Sequence, residues 1–454
     1  MKIRRLHRDI DMTTGNILPK VFLFSIPLML SSVLQLLFNA ADVIVVGRFD
    51  GQAALAAVGS TGALINLIVN VFFGLSIGAN VVIARYLGAN RYQEVSKSVH
   101  TSIALSLVGG VLLGIFGVSF AGLFLKWMGS PDTVRPLATN YMRIFFIGMP
   151  VNMLYNFGAA VLRSVGDTRR PLYYLAIAGV INVLLNLLFV IVFRMGVSGV
   201  ALATIISQTI SAVLVTACLM RSENAIRLDL KKLRIDRSAA IEIAKIGLPA
   251  GLQGAFFSLS NVLIQSTINS FGETAMAGNS ASANIEGFIY VSMNAIYQAS
   301  VTFTSQNLGA RKYDRVVRTA LCCLLAVVII GVAVGGLALL MQNTLFHIYT
   351  DSDQVAAFAK LRLQVIAGSY FICGCMDVLC GCLRGIGDTM TPMLVSIFGS
   401  CLFRILWIWL VLPLSYTLPT LYLSYPVSWI ITGALHGLFY LRRLRTLKGT
   451  LTAA

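Results

Sequence analysis

Charge is what this 454-residue sequence lacks most. Only 12% of it is Asp, Glu, Lys or Arg, and the acids number 18, whereas soluble domains run at about a quarter charged. Residues 53–84, 171–193, 195–220 and 246–271 contain no Asp, Glu, Lys or Arg. A hydrocarbon core about 30 Å thick is crossed by roughly 20 apolar residues of helix, and stretches of that kind recur along the chain. With 57% hydrophobic residues and a mean hydropathy of +0.82, there is no room for a large soluble domain. The catalytic vocabulary is equally thin. No nucleophile–base constellation and no phosphate-binding loop occurs, so the sequence reads as no enzyme, and ATP hydrolysis is not expected as an energy source. The four histidines (His7, His100, His347, His436) have no ligand spacing. The eight cysteines (Cys218, Cys322, Cys323, Cys373, Cys375, Cys380, Cys382, Cys401) all fall in apolar stretches without metal-ligand spacing. They read as small packing residues. No cofactor is expected, and no metal beyond a coupling Na⁺.

What is present is an all-α integral membrane protein of twelve spans. They are expected near 18–46, 53–82, 97–124, 137–161, 172–193, 197–220, 243–268, 276–305, 317–344, 360–382, 393–412 and 418–440. The net charge of +17 follows that topology. Six of the 35 Lys and Arg fall in outside connections (Arg48, Lys126, Arg135, Arg194, Lys360, Arg362), Arg143 and Arg404 lie within spans, and the other 27 are inside. This positive-inside bias places both termini in the cytoplasm and removes the reason to expect a nucleic-acid partner. The basic opening segment leads into an apolar stretch too long for a signal-peptide core, so an uncleaved first span in the plasma membrane is expected.

The chain is also written twice. LRSVGDTRRP from Leu162 meets LRGIGDTMTP from Leu383 at an offset of 221, and LGANRY from Leu87 meets LGARKY from Leu308 at the same offset. Pro27 and Pro249 are 222 apart. The organisation read from this is an N-terminal six-helix lobe (1–220), a cytoplasmic linker (221–245) and a C-terminal six-helix lobe (246–454). Six spans return the chain to its starting side, so the lobes are parallel repeats, a transporter architecture with its site near the midplane. In each GDT turn, Asp167 and Asp388 are expected to cap the following helix.

Ionisable groups at membrane depth are costly and are functional candidates by default. Asp42 shares a helical face with Gln35 and Asn39, at spacings of three and four. Asn182 and Asn186 share a face of the fifth span, and Thr204 stands in the sixth. Together they form either an oxygen-rich pocket for a proton or a small hard cation, or a hydrogen-bonded helix interface. Glu286 in the eighth span and Asp377 in the tenth are the other intramembrane acids. Asp377 is the repeat-mate of Asn156, and an ion pair with Arg404 is the structural alternative for it. Arg143 is expected to snorkel outward. Pro27 opens a place for a gating bend in the first span.

LRSVGDTRRP, LRGIGDTMTP, GLSIGANVVIARYLGA and TSQNLGA, set in two six-span halves, resemble the multidrug and toxic compound extrusion (MATE) family over essentially the whole chain. The resemblance implies export of small organic, often cationic compounds in exchange for H⁺ or Na⁺ by alternating access. It implies that Asp42 is the first-span acid of the cation site, with Asn182 and Thr204 as partners and Pro27 as the bending proline. Asn186 stands where many members carry Asp. Asp377 matches a tenth-span acid used by one subgroup, whose seventh-span acid is absent here. Glu286, Gln35 and Asn156 complete a substrate or second coupling set. A monomer in the lipid bilayer is expected. The competing readings are a flippase for lipid-linked precursors, which calls for basic residues in the cavity, and a membrane scaffold or receptor.

Overall fold

The structure is a computed structural model that describes residues 10–350 and 352–452; His7 and the basic opening residues lie outside them. Among the described residues there is helix and no strand, as a bilayer demands when every backbone polar group must be satisfied within its own segment. The helices are α1 (Ile17–Phe49), α2 (Gln52–Gly88), α3 (Tyr92–Trp127), α4 (Arg135–Ile147), α5 (Met149–Ser164), α6 (Arg169–Leu187), α7 (Gly196–Met220) and α8 (Arg237–Asn269). They continue as α9 (Glu273–Gly309), α10 (Tyr313–Leu340), α11 (Gln342–Tyr349), α12 (Asp353–Ala367), α13 (Tyr370–Gly385), α14 (Met390–Ser396), α15 (Phe403–Leu410) and α16 (Leu418–Thr452).

Among the described residues, eight helices are long and apolar enough to cross a membrane alone, and up to ten spans result if each bent pair is one span. The bent pairs are α4 with α5 (49°) and α12 with α13 (44°). Gly148 separates the first pair, and Gly368 and Ser369 the second. The fourth and tenth expected spans are therefore broken helices at matching places in the repeat. The two remaining long helices, α9 and α16, are less apolar because of Asn, Ser and Gln in one and Tyr, Ser, Thr and Pro in the other. The duplicated architecture of the sequence reading stands.

The helices cluster in two compact units. One is built mainly from Leu30–Gly251, the other from Met12–Met29 together with the chain from Leu252 onward. The borders fall inside helices, after Met29 in α1 and after Gly251 in α8. Each lies two residues beyond a proline, Pro27 or Pro249, and each helix runs through its proline without a break. A proline removes one backbone hydrogen bond, so both borders sit beside the weakest point of their helix.

Within the first unit, α3 packs on α4 and α5, and α6 on α7. The GDT turns have the local structure expected of them. Gly166 and Gly387 take φ of +90° and +91°, which a side chain would strain. Asp167 Oδ1 accepts from the Arg170 amide (3.1 Å), and Asp388 Oδ1 from the Thr391 amide (3.2 Å). The closest backbone approach is between glycines spaced four apart. A Cβ on Gly74 of α2 would lie 2.2 Å from the Gly251 nitrogen, and one on Gly78 would lie 2.3 Å from the Ile243 carbonyl oxygen. Both obstacles are backbone, so no rotamer relieves them, and small residues are what let membrane helices come this close. Gly74→Val should therefore destabilise the first unit by at least the roughly 1–3 kcal/mol of an overpacked core. A lowered apparent melting temperature in detergent is the expected readout. Gly287→Ala, where a Cβ meets nothing within 4 Å, should leave it unchanged.

Candidate functional site

The Asp42 carboxylate is buried in the first unit, 8% exposed, and is held by α6 and α7. Asn186 Nδ2 donates to Asp42 Oδ1 and also reaches Asn182 Oδ1 at 3.2 Å. Asn182 Nδ2 reaches Thr204 Oγ1 at 3.5 Å, and Thr204 Oγ1 stands 3.5 Å from Asp42 Oδ2. The same hydroxyl has a shorter alternative acceptor, the Val200 carbonyl at 3.0 Å. It has one proton to donate, so its bond to Asp42 is the weaker of the two. Asn186 lies at the last turn of α6, immediately before a widened π-helical turn at Leu188–Val192. Such turns often mark functional positions in helices.

This cluster has one carboxylate, two side-chain amides and one hydroxyl. One oxygen is left over: Asn186 Oδ1 is buried and makes no hydrogen bond among the described residues. A buried acceptor without a donor is costly, and rotating the amide turns that oxygen toward Asp42. In the observed rotamer the amide N–H serves an ionised carboxylate. In the rotated one the amide oxygen serves a protonated carboxyl or a shared small cation. The residues present therefore fit either guest.

Asp42 faces a cavity of about 360 Å³. Gln35, Asn39, Asn156, Asn182 and Thr204 line it as well, while Asn186 stands behind Asp42. Gln35 and Asn156, grouped by the sequence reading with Glu286 and Asp377, thus share one wall with Asp42. Asn66, Asn152, Ser207, Gln208 and Ser211 were not anticipated, nor were Tyr141 and Tyr155. Their signal was available: Asn152 and Asn156 repeat the four-residue spacing of Asn182 and Asn186, and Gln208 follows Thr204 by four. Asn156 Nδ2 donates to the Asn152 carbonyl (2.9 Å) and to Asn152 Oδ1 (2.8 Å). Phe38, Phe73 and Phe145 supply the apolar part of the wall. Among the described residues that line it, Asp42 is the one acid and there is no Lys or Arg.

In the second unit the intramembrane acids are separated. Glu286 is clamped by Arg362 of α12, Nε to Oε1 at 2.8 Å and Nη2 to Oε2 at 2.7 Å, and Ser282 Oγ adds a bond at 2.9 Å. Arg362 Nη1 also donates to Asn279 Oδ1 at 2.6 Å, and its guanidinium stands 5.5 and 5.6 Å from the ring centroids of Tyr422 and Tyr425. The sequence reading had counted Arg362 among the outside residues; it is buried. Asp377 on α13 is half-buried and makes no hydrogen bond or ion pair among the described residues. Arg404, the partner considered for it, instead donates from Nε to Ser428 Oγ (2.9 Å) and lies 4.3 Å from the centre of the Tyr425 ring. Arg143 is exposed on α4. His436 is buried among the Met376 and Pro392 carbonyls (3.2 and 3.4 Å).

The comparisons bear on the family and the fold. The MatE family profile matches residues 27–188 and again 249–410, the second copy starting 222 residues after the first. Among the relatives, the probable multidrug resistance protein YoeA of Bacillus subtilis is 27% identical over 83% of each chain. The probable multidrug resistance protein YpnP of the same organism is 28% identical over 87% of this chain and 88% of its own. The solved outward-facing structure of a multidrug resistance MATE family transporter of the MOP superfamily superposes with a TM-score of 0.91. It covers 98% of this chain and all of its own at 22% identity, a likeness of fold. With a twice-matched profile, two bundles of membrane helices and a buried acid at a polar cavity, this chain belongs to the MatE family of multi-pass membrane transporters.

Proposed function

We propose that the protein is a secondary antiporter of the plasma membrane, exporting small organic compounds in exchange for H⁺ or Na⁺. Both termini are cytoplasmic in this reading, and access alternates between the two lobes. The observation that carries it is Asp42: a buried carboxylate on the wall of a 360 Å³ cavity, held by Asn186 and Thr204. One acid and no basic side chain among the described residues of that wall favour cationic cargo, and Phe38, Phe73 and Phe145 favour cargo with an apolar face. A pyrophosphate headgroup finds no Lys or Arg there to hold it. The multidrug names of the Bacillus relatives support the same substrate class. Entry of the coupling ion at Asp42 neutralises the carboxylate and weakens its hold on a cationic substrate, which is the differential contact that exchange requires.

The test is efflux of a fluorescent organic cation from proteoliposomes under separately imposed H⁺ and Na⁺ gradients. Export driven by one gradient identifies the ion, and export indifferent to both removes the antiport reading.

A further inference from the structure

The linker between α7 and α8 is fixed in place, and a basic hollow lies against it. Ile226 and Leu228 are buried, each 2% exposed, beside Val95, Val99 and Ile103 of α3. The Asp229 amide donates to His100 Nε2 (3.1 Å), and His100 Nδ1 donates to the Ser96 carbonyl (2.7 Å). The Asp236 amide donates to Thr101 Oγ1 (3.1 Å), and its carboxylate caps α8 by accepting from the Ala239 amide (3.0 Å). Both anchors use linker backbone, so they hold the segment while leaving its basic side chains free to serve something else.

Those side chains surround a cavity of about 360 Å³, lined by Lys97, His100, Lys231, Lys232, Arg234 and Asp236. Two of its cations are already compensated: Lys97 by Glu94 at 2.9 Å and Lys232 by Asp229 at 3.8 Å. Lys231 and Arg234 are exposed and have no ion-pair partner among the described residues. Interleaved with them are two apolar side chains turned outward, Leu230 at 54% and Ile235 at 47% exposure. A solvated charged loop has no use for exposed Leu and Ile, whereas a segment lying at a membrane surface does.

We propose that this hollow binds the phosphate of an anionic phospholipid headgroup in the cytoplasmic leaflet. Lys231 and Arg234 take the phosphate, and Leu230 and Ile235 lie along the start of the acyl chains. The proposal rests on the cytoplasmic placement of the linker given under Proposed function. Basic pockets at that level recognise acidic headgroups by charge and by Arg–phosphate hydrogen bonding.

The test uses the full-length protein in neutral detergent. Retention of phosphatidylglycerol is measured by native mass spectrometry against phosphatidylcholine and, separately, with inorganic phosphate as competitor. Phosphatidylglycerol should be retained in preference to phosphatidylcholine. The variant Lys231→Gln/Arg234→Gln should bind it about thirtyfold more weakly, at about 1 kcal/mol per basic residue and tenfold per 1.4 kcal/mol. Arg48→Gln/Lys126→Gln, which removes the same charge elsewhere, should bind as wild type does. Equal retention by the linker variant overturns the proposal, as does an equal loss in the control. Displacement of the lipid by millimolar phosphate overturns the lipid assignment in favour of a free anion. The readout is binding alone, so failure here leaves the exchange reading untouched.

Discussion

Asp42→Asn should abolish gradient-driven export while leaving the protein folded and its cationic substrate bound only with the weaker affinity of the ion-loaded state. Asparagine has nearly the shape of aspartate and keeps an oxygen to accept from Asn186 Nδ2, so the contacts of α1 with α6 survive. What it loses is the exchangeable charge. Coupling between two ligands is a free energy of about 1–3 kcal/mol, or about 5–150-fold in affinity. With one partner fixed as neutral, that difference disappears. In proteoliposomes the variant's export under an imposed gradient should fall to its rate with no gradient. Thr204→Ala should cost less, because its hydroxyl has the Val200 carbonyl as a closer acceptor. Full gradient-driven export by Asp42→Asn would remove this residue from the mechanism. Asp377→Asn is the parallel measurement: Asp377 is half-buried and makes no hydrogen bond or ion pair among the described residues, so it is the other acid available to exchange an ion. Loss of gradient dependence there, with Asp42→Asn unaffected, would move the driving site to the second unit.

The second large effect is expected on stability. Glu286→Gln leaves the Arg362 guanidinium buried without its counter-charge, and breaking a buried pair on one side costs about 3–5 kcal/mol. For a unit of this size that is roughly a 6–20 °C fall in apparent melting temperature. Replacing both partners by apolar residues, Glu286→Met with Arg362→Leu, should recover most of the loss, because no charge is then stranded. Asn279 Oδ1 loses its donor in that variant, so recovery should stop short of complete. The pattern separates two roles for Glu286. A structural pair shows a lowered melting temperature with rescue in the double variant. An exchanging acid would show unchanged melting and lost gradient dependence, and that outcome would return Glu286 to the coupling set.

Much of this protein was legible before any fold was known, for physical reasons. Apolar runs of span length between basic connections admit almost nothing but membrane helices. A 221-residue repeat requires that what one half builds, the other builds too: the GDT turns, the broken helices α4–α5 and α12–α13, and the prolines beside the unit borders all occur in pairs. The shared faces of Asp42 with Asn39 and of Asn182 with Asn186 were legible as well, because three- and four-residue spacings put side chains on one helical face wherever that helix lies; that these faces belong to one site was implied only by the family resemblance. Helix rotation was not legible. Spacing within a helix says which residues share a face, never which neighbour that face meets. For that reason Gln35 and Asn156 join the Asp42 cavity, Glu286 meets Arg362, and Arg404 stacks on Tyr425 while Asp377 makes no hydrogen bond or ion pair among the described residues. Composition and the 221-residue repeat by themselves determined a duplicated bundle of membrane helices with few intramembrane charges, and its motifs implied a transporter through their family resemblance. Only tertiary packing decided which of those charges are spent on each other and which one faces an open cavity, because pairing at membrane depth depends on contacts between helices far apart in the chain.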